Sequence, residues 1–277
     1  MLFLSQTAKS ADDFIDDAAI KARFRESLIG FIEERKGLTA AEVRRELKRE
    51  KSMEPGLSVE NEPAEAVNYT APELYQQAKE ASLIIGHLYL CDSCDEWHTN
   101  LAGGVAISPE GLVLTNFHVL QFEKAAIFGV MNSKGEVSRI SKVIASSRSD
   151  DLAIIQLDSN EQASFAPLAS GIMIGEEVAL VSHPDSHFYS FTTGRVSRLS
   201  IEPKLRTRRV EITAPFARGS SGSGIFNRRG QLLGLASATN AVYYEEDQRG
   251  ERNLQRVIYS GVPLPSIRDL LNLTNGN

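Results

Sequence analysis

Apolar residues follow two different periods along this chain, and the change falls at residue 82. Before it the spacing is helical, and residues 11–50 read as helix. Phe24, Leu28, Phe31 and Ile32 recur at i, i+4, i+7 and i+8, which lines one face. Lys36-Gly37 is a stop signal, and Thr39 caps a second short helix with Val43 and Leu47 on one side. Residues 52–69 are acidic, hold two prolines and show no period, so they read as a linker. Thr70 to Glu73 is a capping box that opens a third helix to about residue 80. From residue 82 the texture is different: "SLIIGHLYL", "GGVAIS", "LVLTNFHVL", "AAIFGVM", "LAIIQL", "EVALVS", "TGRVSRLS", "RRVEITA", "QLLGLASA" and "RVIYSGVP" are short apolar or alternating runs. Gly, Asn, Asp or Pro separates most of them. Ten to twelve short strands at near-regular spacing predict closed β-barrels, which leave no open edges. "PLPSIRDLL" then reads as a helix with Pro265 in its first turn.

Composition adds limits. The chain has 277 residues, 42% hydrophobic and 24% charged, ordinary for a globular protein. The net charge of −6 and the short, scattered basic clusters (Arg44-Arg45, Arg208-Arg209) argue against a nucleic-acid partner, which would need grouped Lys and Arg. No run of 18 apolar residues is present, so no membrane span is expected. "MLFLSQTAKSA" resembles the end of a signal peptide around Ala8-Lys9-Ser10, without the positive n-region and most of the apolar core. It reads equally as a frayed start or as the remnant of an export signal that begins upstream.

Three residues carry candidate chemistry, in the order His, Asp, Ser. His118 ends an apolar run in "LTNFHVL", Asp151 opens "DLAIIQL", and Ser221 lies in "GSSGSG". A serine hydroxyl needs a base in hydrogen-bond reach to become a nucleophile. An imidazole can take that proton and return it to the leaving group. A carboxylate fixes the tautomer of the imidazole and stabilises its charged form. Glycines allow the tight turn that brings two N–H groups onto an oxyanion. Taken singly, each residue has a plainer reading: His118 as a satisfied core histidine, and Asp150 or Asp151 as a turn cap. An α/β-hydrolase does not fit, because that fold needs G-x-S-x-G and the order Ser, Asp, His.

Together, "TNFHV", "DLAIIQL", "GSSGSG", "TTGRVSRLS" and "YSGVPLPSIRDLL" resemble the blocks of trypsin-like serine peptidases, of the HtrA type in particular, over residues 82–272. The resemblance implies a mainly β fold: a trypsin-like double β-barrel with an N-terminal helical extension and a C-terminal helix. The domain plan is then a helical segment (1–51), a linker (52–69) and a peptidase domain (70–277). Carried over position by position, His118 is the general base, Asp151 its orienter and Ser221 the nucleophile. The N–H groups of Gly219 and Ser221 form the oxyanion hole. Ser221 is chosen over Ser220 and Ser223 because it alone has Gly two before and Gly one after. Two departures stand out. Ser223 replaces the usual second glycine, and Ser220 replaces the aspartate by which digestive members respond to a freed N-terminus, so no such zymogen is expected. The chain ends at Asn277, straight after the closing helix, so no PDZ domain is expected in it and trimer formation is not carried over.

The same resemblance places Pro215, Ala217, Ser237 and Thr239 around the primary substrate pocket. An uncharged floor at Pro215 disfavours a basic side chain. Cleavage after small to medium apolar residues is expected, with glutamyl preference as the rival through His183, His187 or Arg218. The implied function is a serine endopeptidase that cleaves polypeptides through an acyl-enzyme, with no cofactor, in the periplasm or outside the cell. A non-catalytic pseudopeptidase is the alternative. "GHLYLCDSCDEWH" holds the only two cysteines. His87, Cys91, Cys94 and His98 supply four potential zinc donors. A Cys91–Cys94 disulfide, a structural zinc and free thiols all fit the spacing. A metal-dependent interaction protein built on that cluster is the third reading of function.

Overall fold

The computed structural model describes residues 14–35, 37–53, 59, 67–158, 163–247 and 250–272. The leader-like start and most of segment 52–69 lie outside these residues. Twelve strands among the described residues form two closed six-stranded barrels. The first runs β1 (Ser82–Leu90), β2 (Trp97–Ala106), β3 (Leu112–Thr115), β4 (Ile127–Met131), β5 (Val137–Ser147) and β6 (Leu152–Asp158). Its order around the barrel is β1-β2-β3-β6-β5-β4. The second runs β7 (Glu177–Ser182), β8 (Ser190–Ile201), β9 (Arg208–Ile212), β10 (Gly224–Asn227), β11 (Leu232–Asp247) and β12 (Gly250–Pro263), in the order β10-β11-β12-β9-β8-β7. All pairings within both barrels are antiparallel. The double barrel expected from the sequence is present, with helix α4 (Leu264–Leu270) after it.

Three helices precede the barrels: α1 (Asp17–Glu34), α2 (Ala40–Leu47) and α3 (Ala71–Ala81). Asp16 caps α1 by accepting from the Ala19 N–H at 2.9 Å, and Arg35 ends it in the left-handed region at φ 52°. The capping boxes at Thr39/Glu42 and Thr70/Glu73 both form, with each Glu accepting from the Thr N–H at 2.9 and 2.8 Å.

The helices are seated on the barrels. Phe24 and Leu28 of α1 are fully buried. They meet the first barrel where β1 and β4 carry glycine. A Cβ on Gly86 would lie 3.1 Å from the Phe24 ring, and one on Gly129 would lie 3.1 Å from Leu28. Each such side chain contributes roughly 1.5–3 kcal/mol by leaving water. Arg139 of β5 adds an ion pair with Glu34 and stacks over Phe31 at 4.2 Å. Val43 and Leu47 of α2 join a cluster with Phe117, Val119 and Leu120, the residues flanking His118. The chain beyond α2 remains anchored. Lys51 accepts from the Ser146 N–H at 2.9 Å, and the buried Met53 donates its N–H to Leu270 at 2.9 Å.

Candidate active site

His118 sits in a single 3₁₀ turn, Phe117–Leu120, directly after β3. The buried Phe117, Val119 and Leu120 hold this turn against the barrel and leave His118 facing outward. Asp151 precedes β6 at φ 64°, a left-handed conformation that Asp tolerates better than most residues. Strand β6 pairs with β3, so the two residues meet although 33 positions apart. His118 Nδ1 lies 2.9 Å from both carboxylate oxygens of Asp151, and the His118 backbone N–H donates to Oδ1 at 3.1 Å. A proton held on Nδ1 by the carboxylate leaves Nε2 as the accepting nitrogen of neutral His118. Asp150, the sequence rival, accepts from the Ser147 hydroxyl at 2.8 Å as a turn cap.

The three serines have three environments. Ser220 is buried and donates to Ser182 Oγ at 3.1 Å. Ser223 is buried against Gly103 of β2, whose Cβ, if present, would fall 2.1 Å from Ser223 Oγ. Ser221 alone is part-exposed, and with His118, Gly219 and Arg218 it lines a cleft of about 1030 Å³. The first barrel fixes its backbone, because Gly103 donates its N–H to the Ser221 carbonyl at 2.8 Å. Gly222 at φ 83° leaves no room for a Cβ, which would lie 2.3 Å from the Gly103 carbonyl.

The Ser221 hydroxyl does not bond His118 in this structure. It donates to the Ser237 carbonyl at 3.1 Å. Rotation about one bond, Cα–Cβ, changes its acceptor.

Gly219 adopts φ 95°, and a Cβ there would lie 2.5 Å from the His183 carbonyl. The Asp185 N–H donates to the Arg218 carbonyl at 2.7 Å. In a trans peptide the C=O and the next N–H point opposite ways, so the Gly219 N–H faces away from Asp185. Among the described residues, neither the Gly219 nor the Ser221 N–H has an acceptor.

Ser237 was expected in the pocket wall. Its hydroxyl donates to Asp151 Oδ2 at 2.7 Å. Asp151 thus receives donors from His118 and Ser237 together, a role that the small residues of "LASAT" do not advertise. Pro215, Ala217 and Thr239 are exposed, and none of the three lines the cleft that holds His118 and Ser221. His183 is not available to a substrate. It is buried, accepts from the Tyr189 N–H on Nδ1 at 3.1 Å and bonds the Leu83 carbonyl through Nε2 at 3.2 Å. Burial pushes its pKa down to about 4. Arg218 pairs with Asp185 at 3.0 Å, and His187 bonds the Pro184 carbonyl at 3.1 Å.

A family model described as "Trypsin-like peptidase domain" matches residues 102–235. This matched stretch is similar to trypsin-like peptidase domains and spans just under half of the chain. The domain is similar to an uncharacterised protein of Sinorhizobium fredii, 28% identical over 139 residues, 49% of this chain and 21% of that protein. A probable periplasmic serine endoprotease, DegP-like, of Rickettsia prowazekii is 26% identical over 147 residues, 50% of this chain and 28% of that protein. Serine endoprotease DegS of Haemophilus influenzae is 25% identical over 143 residues, 50% of this chain and 41% of that protein. The aligned part is thus well under half of each relative's length. The match leaves out β1, β12 and most of β11, as well as α1 to α4. No described helix is long and apolar enough to cross a membrane.

The cysteine and histidine cluster divides in two. His87 is buried, its Nε2 has no partner among the described residues, and its ring stacks on Phe122 at 4.3 Å. Burial pushes its pKa down to about 4. Cys91 and Cys94 are not bonded to each other and lie with His98 at the tip of the β1–β2 hairpin.

Proposed function

We propose that this chain is a serine endopeptidase that cuts polypeptides through an acyl-enzyme. The observation that carries the reading is the convergence of His118, Asp151 and Ser221 at one cleft between two barrels, beside two N–H groups without acceptors. In this reading Ser221 turns from the Ser237 carbonyl to His118 Nε2 and attacks the scissile carbonyl. His118 takes the proton and passes it to the leaving amine. Asp151, positioned by Ser237, keeps Nδ1 protonated and offsets the imidazolium charge. The N–H groups of Gly219 and Ser221 receive the oxyanion. Water, deprotonated by His118, then releases the acyl group.

Cleavage after small to medium apolar residues is supported by the burial of His183, which takes that histidine out of reach of a substrate carboxylate. A peptide-library digest tests it, and cuts mainly after Arg, Lys or Glu refute it. A periplasmic or secreted setting is supported by the likeness to a probable periplasmic endoprotease, and fractionation of the source cells tests it.

A non-catalytic binding module has one observation in its favour, the Ser221 hydroxyl resting on Ser237. A fluorophosphonate probe separates the two. Covalent labelling of the intact protein, lost in Ser221→Ala, supports the peptidase. A folded protein that stays unlabelled supports the binding module.

A further inference from the structure

The β1–β2 hairpin carries a cluster that the peptidase chemistry does not use. The ligand atoms of Cys91, Cys94 and His98 all lie within 4.8 Å of one another. Cys94 Sγ is 3.1 Å from His98 Nε2. Ligands at Zn–S of about 2.3 Å and Zn–N of about 2.0–2.1 Å around a tetrahedral ion sit roughly 3.5–3.8 Å apart. The three atoms already approach that arrangement.

Backbone features explain why they stand together. Leu90 pairs with Trp97 and Tyr89 with His98, so the hairpin register sets His98 beside the end of β1. The Cys91 N–H donates to Glu96 at 3.0 Å and the Asp95 N–H to Cys91 at 3.1 Å, which closes the turn that carries both thiols. Asp95 takes φ 54° to make this closure. The His98 ring is stacked on Tyr89 at 5.8 Å, and Ser93 Oγ lies 3.0 Å from the Cys91 sulfur. Both ligand types thus have neighbours that hold their orientation, as metal ligands do.

We propose that Cys91, Cys94 and His98 bind one zinc ion, or a divalent ion of similar thiolate preference, with water in the fourth position. His87 is not a ligand, because its ring is buried under Phe122 and its nitrogens are not among the atoms that come together at the tip. The ion would cross-link the end of β1 to β2 at the rim of the cleft that Cys91 lines. Asp92, in the same turn, pairs with Lys124 across that rim. The proposal stands apart from the peptidase reading, because metal content is read without substrate.

The test uses the full chain, purified under reducing conditions and freed of metal by a chelator. Zinc is quantified by elemental mass spectrometry, and cobalt by its thiolate-to-metal absorption. About one equivalent of either ion per chain is expected. Cys91→Ser and Cys94→Ser, at a solvent-facing turn where folding is readily checked by circular dichroism, should each abolish the cobalt–thiolate band or reduce it to a single-thiolate signal. His98→Ala should weaken binding by more than the roughly 10–100-fold that loss of an outer partner costs. His87→Ala should leave the stoichiometry unchanged. A reduced wild-type chain that binds neither ion, or that binds both equally well after Cys91→Ser, overturns the proposal.

Discussion

The two barrels share a strand count and differ in what covers them. The first is clad: α1 and α2 bury Phe24, Leu28, Val43 and Leu47 on it, and α2 supports the turn that bears His118. The second sends β11 and β12 out as a long paired ribbon, whose far part exposes Val242, Tyr244 and Leu254. His118 and Asp151 belong to the clad barrel. Ser221 belongs to the other, and its carbonyl is tied back to β2 by one hydrogen bond. His118 and Asp151 are held by packing, whereas Ser221 is held by glycine conformations and backbone bonds. The first kind of support fails by losing apolar area, and the second by a single Cβ in the wrong place.

Five changes sharpen or break this contrast, from the largest effect to the smallest. Ser221→Ala should cut kcat by roughly a million-fold, with the melting temperature unchanged, measured on a peptide substrate and by calorimetry. Phe24→Ala should cost about 3–5 kcal/mol in denaturant unfolding. A cost below about 1 kcal/mol would mean that α1 only rests on the barrel.

Acid provides the third test. His87 and His183 are neutral in the folded protein, with pKa values of about 4. The unfolded chain binds protons on them from about pH 6.5 downward. Stability therefore falls as the pH drops from 6.5 towards 4, by on the order of 3 kcal/mol for each histidine. Urea unfolding of His87→Phe at pH 5 and pH 8 should show a flatter acid dependence than wild type.

Ser237→Ala removes one donor from Asp151, worth about 1 kcal/mol. It should lower kcat several-fold and leave labelling of Ser221 detectable. Last, Tyr244→Ala on the bare ribbon should change stability by less than about 0.5 kcal/mol. A larger loss would show that the ribbon is covered by something in solution.

Much of this architecture is legible in the chain, and the gaps have physical reasons. Ten runs with apolar character fall on strands because at least one face of each is buried, and both faces in β3 and β4. β5 and β10 do not stand out: "VSRISKVIASS" interleaves polar residues, and "GIFN" is four residues inside a glycine-rich stretch. The outer halves of β11 and β12 are solvent-facing, so no burial pattern marks them as strands. Position explains the candidate site as well. His118, Asp151 and Ser221 lie in distinctive blocks of sequence, whereas the donation from Ser237 to Asp151 depends on the direction of one small side chain. His87 and Cys91 are an even step apart and would share a face if the strand continued. It ends at Leu90, so Cys91 turns with the hairpin tip and leaves His87 behind. The two helices read within 11–50 both form, and the first ends where Arg35 takes the left-handed conformation, one residue before the Lys36-Gly37 stop.

Strand order also has a bearing on biosynthesis. β12 lies between β11 and β9, so the second barrel is a closed cylinder only when residues 250–263 are in place. A chain made from its N-terminus can complete the barrel of His118 and Asp151 while that of Ser221 is still an open sheet. The nascent polypeptide therefore carries Ser221 for some time beside an unclosed sheet, so the proposed peptidase would be assembled only once the last strand has been added.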